Sequence, residues 1–149
     1  GQSTPNATHL IKVAVQAALG RRQGMDVYGV DYPTPDGSCL RDYIHVTDLA
    51  RAHMDALRRL RAGAKPITCN VGYGRGYSVL EVIDTVKRVS GVDFEVRLAG
   101  RRAGDPATIV ASNARIRREL GWEPRHDDLE KIVRQALDWE RGLEKRLGG

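Results

Sequence analysis

Arg41 follows a stiff loop in the run DYPTPDGSCLRDY, and Arg102 lies in the loop GRRAGD at residues 100–105. A guanidinium is a planar fork of N–H donors that matches two phosphate oxygens, so two forks suit a diphosphate. On residue chemistry alone the pair marks a candidate anion site. Little else suggests a reaction. His9, His45, His53 and His126 do not cluster, and no Ser-His-acid or Cys-His arrangement is visible. Cys39 and Cys69 lack metal-ligand spacing and read as two reduced thiols. The loop GYGRG at residues 72–76 has a setting in which backbone N–H groups bind phosphate. It lacks the Lys-Ser/Thr of a P-loop and the G-x-G-x-x-G spacing of a dinucleotide turn, so a turn into a helix is the simpler reading. His45 reads as a structural histidine at a strand end, and His53 as helix packing.

Periodicity supplies the elements that must hold these groups. Leu10, Ile11, Ala14, Ala17 and Ala18 fall at helical spacing over residues 8–19, and Gly20 stops that helix. Residues 25–30 (MDVYGV) alternate as a strand, 31–38 form a turn-rich loop, and 40–46 read as strand. Thr47 is placed to cap a helix over residues 48–61, whose apolar face carries Leu49, Ala52, Ala56, Leu57 and Leu60. Residues 67–72 (ITCNVG) read as another strand. Ser78 and Glu81 form a Ser-x-x-Glu capping box opening the next helix. Residues 93–98 alternate as a strand, Asn113 starts a short helix that Gly121 ends, and Leu129, Ile132, Val133, Ala136 and Leu137 define the last helix. Short strands alternating with helices argue an α/β fold.

The 149 residues suit one domain by length, and a 41% apolar composition is enough for a core. The formal net charge is +5, which suits an anionic partner. The arginines, however, are spread along helical surfaces among acids, and no aromatic-basic interleaving is present. No nucleic-acid partner is expected, and salt-resistant binding of a nucleotide against salt-sensitive binding of DNA would separate the two cases. No apolar run suits a bilayer span and no signal peptide opens the chain, so neither a membrane partner nor export is expected; the reading is cytoplasmic.

Three stretches carry a further signal. VYGVDYPTPDGSCLRDYIHVTDLARAH, NVGYGRGYSVLEVI and RRAGDPATIVASNARIRRELGWEPR, in that order, resemble the UDP-glucose 4-epimerases, extended short-chain dehydrogenases/reductases. The similarity spans nearly the whole chain, and the first stretch is specific for the 4-epimerase group. The resemblance implies the C-terminal, UDP-sugar-binding part of such an enzyme over residues 1–149. It implies that Arg41 and Arg102 clamp the diphosphate and that His9 and Leu10 touch it from the first helix. Asp26 and Tyr28 would meet the uracil, largely through backbone groups, Val79 would line the nucleoside pocket, and Asp105 would accept from the ribose hydroxyls. Ile109 falls where the family controls how bulky the sugar may be.

The family begins with a Rossmann domain that grips NAD and carries a Tyr-x-x-x-Lys pair. Here Tyr28, Tyr32, Tyr43, Tyr73 and Tyr77 are followed at that spacing by Tyr32, Asp36, Thr47, Tyr77 and Glu81. No catalytic residue and no metal site is therefore assigned. NAD is the family's cofactor, and none is expected for this chain alone. In the family, residues about 46–72 pack on the Rossmann sheet. Without that sheet the chain is expected to be inactive and to self-associate as a dimer or larger. A standalone nucleotide-sugar-binding module, and the partner of a separately encoded Rossmann half, remain open alternatives.

Overall fold

The computed structural model describes residues 2–3 and 6–147, with side chains through residue 143. Although the length suits one domain, the chain falls into two compact units, each built from separate stretches. Unit 1 comprises Gly1–Cys39, Ser78–Ala107 and Asp128–Gly149; unit 2 comprises Leu40–Tyr77 and Thr108–Asp127. The order of elements is α1 (Leu10–Ala18), β1 (Met25–Tyr28), β2 (Leu40–Arg41), α2 (Val46–Arg61), β3 (Tyr77–Ser78), α3 (Val79–Ser90), β4 (Val96–Ala99), β5 (Thr108–Ile109), α4 (Ala114–Leu120) and α5 (Leu129–Leu147). The α/β reading holds.

In unit 1, α1, α3 and α5 pack on one another, and α1 also meets β1. Their inward faces supply Ala14, Val15, Val82, Ile83, Val86, Val133 and Leu137, all nearly or fully buried. Strands β1 and β4 run parallel, with Met25 opposite Val96 and Tyr28 opposite Ala99. Helix α3 starts at the foreseen capping box: the Ser78 hydroxyl accepts from Glu81 N–H at 3.0 Å, and Ser78 N–H donates to the Glu81 carboxylate at 2.7 Å. A buried ion cluster ties α5 to α1, with Lys12 on Glu140 and Arg21 Nη1 3.1 Å from the same carboxylate.

Unit 2 rests on polar centres. Strands β2 and β5 pair in parallel, Leu40 opposite Thr108 and Arg41 opposite Ile109. The foreseen strand over residues 40–46 ends after Arg41, because Asp42 turns its carboxylate toward the backbone N–H groups of Tyr73 (3.2 Å) and Ala111 (3.3 Å). Helix α2 begins at Val46. Its cap is His45, whose Nδ1 accepts from Thr47 N–H at 3.1 Å, and not Thr47. No strand forms over residues 67–72: extended backbone needs a ladder partner, and none of the strands in the described residues supplies one. Of the foreseen apolar face of α2 only Ala52 is buried; Leu57, Leu60 and also Val46 and Met54 are exposed.

Candidate functional site

The loops after parallel strands are where α/β sheets hold ligands, because the carboxyl ends of neighbouring strands open side by side there. In unit 1 those loops are residues 29–38, after β1, and 100–107, after β4. Two consecutive arginines rise from the second loop and each lies on a tyrosine of the first region. Arg101 stacks 4.2 Å above the Tyr32 ring and Arg102 stacks 3.6 Å above the Tyr28 ring.

The two stacks differ in what else holds them. Arg101 donates from Nε to Asp31 Oδ1 at 2.7 Å and from Nη2 to the Asp31 carbonyl at 2.5 Å. That hydrogen bond, more than the charge itself, holds the Asp31 carboxyl below its usual range. Tyr32 is buried, and burial pushes its phenol up. Arg102 is exposed, and among the described residues its guanidinium has no hydrogen-bond or carboxylate partner; it rests on the half-buried ring of Tyr28. Sequence reasoning singled out Arg102 and passed over Arg101; the two differ in that Arg101 is tied to Asp31 whereas Arg102 lies on the Tyr28 ring.

Other foreseen site residues fall in unit 1 as follows. Asp26 sits on β1 two residues before Tyr28 and is held by Arg97 Nε at 2.8 Å. Asp105 and Arg102 share one loop, closed by a 3.3 Å bond from Asp105 N–H to the Arg102 carbonyl. Val79 opens α3, and its N–H donates to the Cys39 carbonyl at 3.0 Å. His9, exposed, precedes α1 as its cap residue without a side-chain capping bond, and Leu10 follows it, half-buried. Arg41 and Ile109 belong to unit 2, where the register sets them opposite each other on β2 and β5. Arg41 donates from Nη1 to the Leu40 carbonyl at 2.8 Å, and Ile109 is half exposed.

The glycine loop of unit 2 has a different explanation from phosphate binding. A Cβ on Gly72 would collide with the Asp42 carboxylate and stand 2.7 Å from Ala111 Cβ, and one on Gly76 would stand 2.8 Å from Val110 Cγ2. The N–H of Tyr73 is already taken by Asp42. The glycines let the loop backbone lie against the side chains of Asp42, Ala111 and Val110, and a carboxylate faces the loop where a phosphate would have to sit. His45, foreseen as a strand-end histidine, is buried, with its ring 4.5 Å from that of His126. His53 is exposed and returns to its own helix at the Leu49 carbonyl. Cys39 and Cys69 are free thiols.

Sequence reasoning missed the polar centre of unit 2. Asp48 is fully buried and accepts from Tyr73 O–H at 2.9 Å, Arg125 N–H at 2.9 Å and His126 N–H at 2.8 Å. Its backbone carbonyl accepts from the Trp122 indole at 3.0 Å. Burial works to raise the Asp48 pKa, but the two backbone N–H groups and the tyrosine outweigh it and hold the carboxyl below its usual value. Tyr73 moves the opposite way, raised by burial and by its bond to Asp48.

Parallel β-α units, an arginine-bearing loop beyond β4 and the matched family pattern define the class. The model of the NAD dependent epimerase/dehydratase family matches residues 1–72, and the chain belongs to that family, among the extended short-chain dehydrogenases/reductases. Within it the similarity is to UDP-glucose 4-epimerases. The chain is 57% identical to the UDP-glucose 4-epimerase of Azospirillum brasilense over 148 residues, 99% of this chain and 42% of that protein. The structure of the UDP-Glc/GlcNAc 4-epimerase from Campylobacter jejuni superposes with a TM-score of 0.83 at 50% identity, covering 95% of this chain and 43% of that one. The UDP-glucose-4-epimerase of Stenotrophomonas maltophila, with bound NAD and formylated UDP-arabinopyranose, gives 0.92 at 40% identity, covering 97% and 43%. The chain thus spans under half the length of the relatives it matches. The family is NAD dependent, and the glycine loop at 72–76 does not fit a dinucleotide pyrophosphate for the steric and electrostatic reasons given above.

Proposed function

We propose that the chain is the UDP-sugar-binding part of a UDP-glucose 4-epimerase, acting in the interconversion of UDP-glucose and UDP-galactose. The observation that carries this reading is the uncommitted guanidinium of Arg102 in the loop beyond β4. An anion site needs a cation not already neutralised, and among the described residues of that loop Arg101 is paired with Asp31 whereas Arg102 has no carboxylate partner. The motif matches carry the remaining roles. Arg102 and Arg41 each contact the diphosphate, His9 and Leu10 approach it, and Asp26 and Tyr28 meet the uracil. Val79 lines the nucleoside pocket, Asp105 receives the ribose hydroxyls, and Ile109 limits the sugar.

Residues about 46–72 are proposed to pack on a nucleotide-binding Rossmann sheet. The exposed Val46, Met54, Leu57 and Leu60 and the unladdered residues 67–72 support that assignment. When that surface has no cover, the chain self-associates through it. The chain alone holds no NAD and does not interconvert the sugars, since none of its tyrosines has the lysine spacing that would lower its pKa. Partnership with a separately encoded Rossmann half would restore both.

Calorimetry with UDP and UDP-glucose tests the reading. The parent chain binds both weakly, and Arg102→Ala and Arg41→Ala each weaken UDP by about 1.5–3 kcal/mol, the worth of a charge-assisted hydrogen bond. Unchanged UDP affinity in both variants, or turnover of UDP-glucose by the pure chain, would overturn it.

A further inference from the structure

A flat aromatic face accepts one flat partner at a time, and in this chain the face of Tyr28 is taken. The Arg102 guanidinium lies 3.6 Å above the ring, well inside the distance at which a cation is held by a ring quadrupole. Tyr28 ends β1 opposite Ala99, the last residue of β4, and Arg102 stands three residues past Ala99. The stack is therefore set by the strand register and a short loop.

The neighbouring stack provides an internal control. Arg101 over Tyr32 is doubly tied to Asp31, and Tyr32 is buried, so that arginine stays where it is. Among the described residues Arg102 has only the ring. Its ring is half-buried, and Asp26, two residues away, approaches the hydroxyl edge of Tyr28 at 3.4 Å and leaves the face open to stacking. One arginine of the pair is a fixed cover and the other is released by whatever competes for its ring.

A nucleobase is such a competitor, since base and guanidinium both bind an aromatic face by stacking. A bare phosphate or pyrophosphate is not: it needs Arg102 but offers nothing to Tyr28. Building on the nucleotide-sugar reading, we propose that Tyr28 makes the site selective for nucleoside diphosphates over free pyrophosphate, by holding Arg102 on its ring until a base takes that place. Base binding and phosphate binding are then coupled through one side chain. A ligand with a base frees the arginine for its own diphosphate, and a ligand without one must break the stack at its own cost.

The coupling has a sign that a plain contact residue would not give. In Tyr28→Leu the strand keeps apolar bulk but the stack is gone. UDP should bind more weakly, because its base loses the ring. Pyrophosphate should bind more tightly than to the parent, by about two- to five-fold, the factor an exposed cation–π contact corresponds to. Tyr28→Phe keeps the aromatic face and so should show none of the gain in pyrophosphate affinity, which separates loss of the stack from a general effect of substitution at this position. Adding Arg102→Ala to Tyr28→Leu should erase the gain in pyrophosphate affinity. Calorimetry of the full chain with UDP, UMP and pyrophosphate reads all of these. The proposal is overturned if pyrophosphate binds Tyr28→Leu no better than the parent, or if the gain survives Arg102→Ala. Failure of the parent to bind UDP at all would sink the nucleotide-sugar reading itself, whereas UDP binding with the wrong sign for pyrophosphate sinks only the selectivity.

Discussion

Ile83 and Asp48 are each fully buried at the centre of their units, one an aliphatic side chain among helices and the other a carboxylate ringed by donors. Unit 1 buries three helical faces against one another, so its stability scales with apolar area and tolerates small rearrangements. Unit 2 has one short and one longer helix and fewer apolar side chains to bury. It gathers Tyr73, Arg125 and His126 onto a single charge, and Tyr73 and Ala111 onto a second at Asp42. Such an arrangement specifies one geometry closely but fails as a whole when one member is removed, since the others become unpaired. The difference teaches where each unit is vulnerable: unit 1, apart from the Lys12–Glu140 pair that ties α5 to α1, to loss of volume, and unit 2 to loss of charge.

The most severe test replaces that charge. Asp48→Ala strands the Tyr73 hydroxyl and two backbone N–H groups in a buried place and should cost about 3–5 kcal/mol. Hydrogen exchange should show α2 and α4 losing protection while α3 keeps it. Equal loss in all three would mean that the polar centre serves both units. Acid should do in part what the substitution does. The folded pKa of Asp48 is depressed, so its contribution is complete above the ordinary carboxylate range and is lost as pH falls through the lower folded value. Exchange followed from pH 6 downward should show α2 opening before α1 and α3. Simultaneous opening would remove the contrast. The smallest effect on stability is expected at the outer face of α2. Leu57→Lys with Leu60→Lys touches exposed positions and should change stability by no more than about 0.5 kcal/mol. It should nevertheless reduce the apparent mass in light scattering if self-association runs through that face. An unchanged mass would place the contact elsewhere.

Much of unit 1 was legible in the sequence because its signals are local. The spacing of Ala14, Ala17 and Ala18, the Ser78–Glu81 box and the alternation around Val27 each determine their element within a few residues. One such local signal in unit 2 is the glycine after Leu120, which ends α4 at a positive φ of 62°. In unit 2 the deciding contacts come from far along the chain. Nothing near Asp48 announces that Arg125 and His126 will donate to it, and an acid in the first turn of a helix is ordinary there. The hydrophobic run ITCNVG looked like a strand because side-chain pattern reports burial preference, whereas a strand also needs a neighbour. Arg41 and Arg102 were found from chemistry and motif, but only the coordinates show that Arg102 lies on Tyr28 while Arg101 is tied down by Asp31.

The chain passes between the two units four times, at residues 39–40, 77–78, 107–108 and 127–128. From the standpoint of unit 1, unit 2 is a pair of insertions, each anchored at both ends. The free energy of closing a loop grows only with the logarithm of its length, so these insertions burden unit 1 little even when they are unravelled. Unit 2 can therefore melt and reform as a local excursion while its ends stay pinned, without the search that a dangling tail would face. No single cut of the backbone would liberate either unit as a continuous piece. A protease that nicks unit 2 in its open state would leave two or three segments held together by the helices of unit 1, a product that looks cleaved on a denaturing gel and whole in native solution.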